Sequence, residues 1–178
     1  PGLWLMRWHE DGRVLHQVWA DPGRQFNGHV LASPDGRHVF TTEVDLATGE
    51  GCVAQRDASS LKTQAVWSTA GLDPHQMMWD EAGLFVANGG IRSSAETGRA
   101  KLALDEMEAS VVCVHTRDGR LLQQWRLPDA RLSLRHLARH TSGVVGIALQ
   151  AEHSEAERRQ GAPVLALLDK FGLRTAEP

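Results

Sequence analysis

Three histidines recur in one setting. His29 opens "HVLASPDGRHVFTTE", His75 opens "HQMMWDEAGLFVAN" and His136 opens "HLARHTSGVVGIALQ". Each leads a short run, a Gly-bearing turn and a β-rich run that ends on a polar residue: Glu43, Asn88 or Gln150. Imidazole titrates near neutrality and ligates zinc, copper, iron and nickel. A carboxylate beside several imidazoles extends such a donor set. His29, His75 and His136, joined by Glu43, are therefore candidate metal ligands. With Asn88 and Gln150 they are candidate contacts for a small ligand. The repetition also supports a structural role, because a position repeated in every unit often solves the same packing problem each time.

Other residue groups could do chemistry of their own. In "ANGGIRSSAETGR", Gly89 and Gly90 would let the backbone turn sharply or approach a ligand closely. Arg92, Arg99 and Lys101 could then bind a carboxylate or phosphate. The alternative is a Gly turn that lets the chain leave its sheet, with solvated charges. "AEHSEAERR" gathers Glu152, His153, Glu155 and Glu157, a conceivable metal cluster that reads better as a solvated acidic helix. There is no nucleophile elbow, phosphate-binding Gly motif, zincin helix or Cys-pair zinc site. No catalytic residue is assigned.

The elements that must carry these residues follow from spacing. Before each histidine comes an apolar run ending in an Asp-bearing turn, and Asp11, Asp57 and Asp118 each lie 18 residues before the next histidine. From His29, His75 and His136 to the following Asp57, Asp118 and Asp169 the distances are 28, 43 and 33. Insertions thus fall in one place per repeat. Each repeat reads as four strands: A starting at the His, B ending at Glu43, Asn88 or Gln150, C ending at the Asp turn, and D carrying Trp19, Trp67 or Trp125. Gly or Asp-Gly between short apolar runs marks the A–B hairpins. Four short strands per repeat of about 46 residues is the signature of a β-propeller blade. Runs such as "GVVGIAL" and "VLALL" are apolar throughout, as sheets covered on both faces require. The Asp turns and the Trp positions read as scaffold.

The expected fold is all-β: strands C and D over 1–25, blades over 26–71 and 72–132, and an incomplete blade over 133–178 that ends at its third strand. About three blades do not close a ring of four to eight. The expected partner is accordingly the remaining half of the propeller, or another chain that completes it. In such a ring strand A lines the central channel, so the three histidines, Glu43, Asn88 and Gln150 should gather near one mouth. Long links on one face of a rigid scaffold are where function usually lies.

Composition narrows the partners. The net charge of −3 gives no reason to expect nucleic acid or an anionic membrane. No apolar run approaches the roughly 20 residues of a bilayer span. No signal peptide is visible in a chain that opens at Pro1. Cys52 and Cys113 lack metal spacing and read as buried apolar thiols rather than a disulfide.

"FNGHVLASPDGRHVFTTEVDLATGEGCVAQRDA", "GLDPHQMMWDEAGLFVANGGI", "TGRAKLALDEMEAS" and "LPDARLSLRHLA" resemble the bacterial family called domain of unknown function 1513. The resemblance covers nearly the whole chain and is densest from Ala87 to Met107. It implies a seven-bladed exported propeller about twice this length. It also implies a periplasmic location and a setting among imelysin-type and other iron-uptake proteins. It brings over no catalytic residues. The expectation is a periplasmic binding module with a His-lined channel mouth, taking a small ligand or a protein partner, with a metal ion as the candidate cofactor. A lactonase-like metal-dependent hydrolase, with Glu43 and Asn88 as ligands beside the histidines, and a pure scaffold are the alternatives.

Overall fold

The computed structural model describes residues 2–93, 101–102 and 104–176. Its strands form antiparallel sheets in chain order. The first sheet pairs β1 (Trp4–Trp8) with β2 (Val14–Trp19). The second holds β3 (Arg24–Ala32), β4 (His38–Asp45), β5 (Glu50–Asp57) and β6 (Thr63–Leu72). The third holds β7 (Pro74–Trp79), β8 (Leu84–Asn88), β11 (Ser110–Val114) and β12 (Leu121–Trp125). A two-stranded ribbon of β9 (Arg92–Ser93) and β10 (Lys101–Leu102) projects from its β8–β11 link. The fourth sheet holds β13 (Leu132–Arg139), β14 (Val145–Ala151), β15 (Leu165–Asp169) and β16 (Gly172–Thr175). A helix, α1 (Ala156–Gln160), sits in the β14–β15 link. No helix among the described residues is long and apolar enough to cross a membrane.

Two of these features differ from the sequence reading. The last unit has a fourth strand, since β16 pairs with β15 from Asp169↔Gly172 to Ala166↔Thr175. It is four residues long and half polar, too short to show a period of its own. Nor do the inner strands all start at their histidines. β3 begins at Arg24 and β13 at Leu132, so His29 and His136 lie inside their strands. Each histidine falls within a break in register: between Phe26 and Val30, between Pro74 and Met77, and between Leu134 and Leu137. A bulge inserts extra residues on one strand, twists it and re-aims its side chains.

The runs "GVVGIAL" and "VLALL" fall on β14 and β15 of the fourth sheet, which bury only alternate residues, with Leu165 exposed, so they are not covered on both faces as expected. The doubly covered sheet is the third. Every residue of β8 and β11 is buried. Leu84, Val86, Val112 and Val114 pack toward the second sheet with Phe40, Val53 and Trp67. Phe85, Ala87, Val111 and Cys113 pack toward the fourth with Leu134, Leu137, Val145 and Ile147. Alternation along a strand thus feeds two cores. Main-chain acceptors and donors bind the seams between sheets. Trp79 Nε1 donates to the Ala32 carbonyl at 2.7 Å, and Gln76 Oε1 accepts from the Leu137 amide at 2.8 Å. Cys52 and Cys113 are free and buried, and burial pushes each thiol up to about 11.

The repeated aspartates are turn residues. The carboxylates of Asp11, Asp57, Asp118 and Asp169 each accept the backbone N–H two residues on, from Arg13, Ser59, Arg120 and Phe171. That self-bonded turn is the reason Asp recurs there.

Candidate functional site

β3, β7 and β13 are the leading edge strands of three successive sheets, and β7 packs between the other two. Their bulges deliver the three histidines to one point. The His29 and His75 ring centroids are 5.3 Å apart, His29 and His136 5.4 Å, and His75 and His136 5.8 Å. One nitrogen from each ring lies within 4.8 Å of the other two. His29 and His75 are half-buried and His136 is exposed, so the cluster is open on one side.

Charged side chains back the cluster. Asp73 lies at the β6–β7 junction in a left-handed conformation, φ 52°, which Asp tolerates better than most residues. Its Oδ1 accepts from Asn27 Nδ2 at 2.9 Å, and its Oδ2 accepts from Arg135 Nη1 at 2.8 Å. Arg135 Nη1 also meets His75 Nε2. Arg135 Nη2 lies 3.8 Å from Glu152 Oε1. Asn27, Asp73 and Arg135 thus link the second, third and fourth sheets behind the imidazoles. Gly89 makes room for this: a Cβ there would lie 2.5 Å from Asp73 Oδ2 and 3.0 Å from Ser133 Oγ. Its carbonyl accepts from Ser133 Oγ at 2.8 Å. Gly90, at φ 75°, would meet the Ala109 amide nitrogen at 2.2 Å with any side chain.

Burial and the Arg135 charge push His75 down to about 4, against the opposing pull of Asp73. His29 is lowered too, by burial and then by His136. Neutral imidazoles keep the lone pairs that metal ligation uses.

The other residues expected at this point are elsewhere. Glu43 is fully buried in an ion network, where its Oε1 accepts from Arg56 Nη2 at 2.7 Å and from Thr41 Oγ1 at 2.6 Å. Arg56, 1% exposed, stacks on Phe26 and reaches Asp21 at 3.2 Å. Asn88 is fully buried and donates to the Thr69 carbonyl at 2.9 Å and to Ser110 Oγ at 3.1 Å. Gln150 is exposed on β14 opposite Ser133. Arg92 Nη1 donates to the Thr48 carbonyl at 2.9 Å, tying the ribbon to the second sheet. Lys101 pairs through its backbone with Ser93 in β10, and Arg99 lies outside the described residues. The acidic cluster divides: Glu152 faces Arg135, His153 Nε2 contacts Asp129 Oδ2 at 3.0 Å, and Glu155 and Glu157 are exposed around α1.

Sequence reasoning missed Asn27, Asp73 and Arg135. Asn27 and Asp73 share the position two before the histidine but differ in type and give way to Leu134 in the third repeat, and Arg135 has Gly28 and Pro74 as its counterparts, so no one residue type recurs there. The signal that could have found Asp73 and Arg135 is a charge beside a repeated histidine.

Sheets of this kind, meeting at their leading strands, define an all-β protein of the β-propeller type. A solved structure from Bacteroides fragilis, a candidate 6-phosphogluconolactonase, is similar over 98% of this chain and 51% of its own, with a TM-score of 0.51 and 14% identity. The chain therefore spans about half the length of that structure. The family described as "Protein of unknown function (DUF1513)" matches residues 1–176, and the chain belongs to it. No curated protein matches.

Proposed function

We propose that this chain is a binding module of a β-propeller whose ligand seat is the His29–His75–His136 cluster, and that the cluster holds a divalent transition-metal ion. The observation that carries this is the approach of one nitrogen from each of three rings, on three separate sheets, to within 4.8 Å. A tetrahedral zinc site with Zn–N of 2.0–2.1 Å sets its nitrogens about 3.4 Å apart. The rings reach that by closing under about 1 Å each. A purely structural role would have the histidines bond a neighbouring sheet, yet the side chains of His29 and His136 make no hydrogen bond among the described residues. Three histidines also leave a coordination position open, the arrangement of sites that act on a bound ligand.

The exported, periplasmic setting among iron-uptake proteins belongs to this proposal, as does a periplasmic protein partner. So does completion of the ring by further sheets, from the rest of the protein or from another chain. The exposed Trp4, Trp8 and Trp19 of the first sheet and Leu165 of the last, with Val164 just before it, support that part, since they leave apolar surface there.

A second reading is a lactonase-like hydrolase, favoured by the likeness to the candidate 6-phosphogluconolactonase. Its metal-bound water would sit on the three histidines, because the side chains of Glu43 and Asn88 are engaged elsewhere. Turnover of a sugar-acid lactone by the metal-loaded protein would favour it over the binding module.

The test is titration of metal-stripped protein with zinc(II) or cobalt(II). The expected result is one ion per chain. His29→Asn, His75→Asn and His136→Asn should each weaken binding at least about 10-fold, as loss of even an outer-shell partner can, with the circular dichroism spectrum unchanged. Absence of stoichiometric binding, or affinity indifferent to all three changes, would overturn the proposal.

A further inference from the structure

Arg135 is the part of the site that a metal ion alone does not explain. Its side chain is 12% exposed, its Nη1 touches both His75 Nε2 and Asp73 Oδ2, and its Nε is buried without a partner. A guanidinium is always charged and only donates. His75 therefore accepts from it at Nε2 and carries its proton on Nδ1, which is buried and unpartnered. A metal-bound imidazole has no acceptor left, since one nitrogen holds the metal and the other carries N–H. Whichever nitrogen His75 uses, metal binding releases Arg135 from the ring.

Charge points the same way. Around the imidazoles the charged side chains are Arg135, Asp73 and Glu152, one positive charge against two negative. A divalent ion makes the site net positive in a half-buried place, and unbalanced charge is costly there. An oxyanion resolves both problems. One oxygen fills the open metal position, and another accepts from the guanidinium, whose planar fork suits carboxylate and phosphate.

We propose that the metal-loaded site binds a small ligand bearing a carboxylate or phosphate group, bridged between the metal ion and Arg135. This rests on the metal reading above. Asp73, fixed by Asn27 and given room by Gly89, is the positioning residue that keeps Arg135 at the site once the imidazole lets go.

Cobalt(II)-loaded protein gives the experiment, because its visible spectrum reports coordination. Inorganic phosphate and acetate are added separately. The expected result is a saturable spectral change with at least one of them, and which one responds identifies the head group. Arg135→Gln should bind cobalt(II) at least as tightly as the native protein and lose anion affinity by at least about 10-fold. Arg135→Lys, which keeps the charge without the fork, should fall between the two. If cobalt(II) binds and neither anion changes its spectrum, or if Arg135→Gln binds the anion as well as native protein, this inference fails while the metal site stands. If cobalt(II) does not bind, both fail.

Discussion

At the scale of the residue, two of the three imidazoles are harder to protonate than a free histidine. His75 is pushed down to about 4 and His29 is lowered as well, both first of all by burial. Unfolding returns each to near 6.5, so below that pH the unfolded chain binds more protons and stability rises with pH. For His75 the window runs from about 6.5 down to about 4. The loss across it is at most about 3 kcal/mol. The turn carboxylates of Asp57, Asp118 and Asp169 are also lowered, chiefly by backbone N–H bonds. Their stabilisation is present above the unfolded carboxylate value and fades as pH falls through the folded one, which extends the decline to more acid pH. Urea midpoints of metal-free protein should therefore drop steadily from pH 7 to pH 3. His75→Asn should flatten the upper part of that curve. A native midpoint that stays level between pH 6.5 and 4 would contradict the burial of a neutral His75.

At the scale of the element, the decisive feature is a bulge at each histidine. Cover on both faces was expected of the runs in β14 and β15 and is found in β8 and β11 instead. The hairpins and the four-strand repeat were legible, because Gly turns and equal Asp–His spacing register in the sequence. The bulges were not, since an irregularity in pairing leaves no composition of its own. The reading therefore began each inner strand at its histidine and aligned the polar ends of the next strands as neighbours of the site. Glu43 shows the cost of that alignment. It follows Thr41 and Thr42 into a buried stretch of β4 and pairs with Arg56 of β5. Glu43→Gln leaves Arg56 with a weaker partner in the interior, and loss of a buried ion pair costs about 3 kcal/mol, moderated here by Asp21 at 3.2 Å. Chemical denaturation should show that loss with metal affinity unchanged. A fall in metal affinity at native stability would instead return Glu43 to the site.

At the scale of the whole molecule, the candidate site belongs to no single sheet. The second, third and fourth sheets each contribute one imidazole, and the third packs against both of the others. The repeat made the three histidines visible as a set. Asn27, Asp73 and Arg135, which link the three sheets, show no residue type common to the repeats, and their linkage emerges only in three dimensions. A site assembled this way requires the sheets to be in place, so metal ligation and inter-sheet packing should reinforce each other. The most direct measurement is anomalous diffraction at the metal edge from crystals of zinc- or cobalt-loaded protein. The account predicts one strong peak about 2.0–2.3 Å from a ring nitrogen of each of His29, His75 and His136. A peak at other residues, or none between these rings, would contradict it.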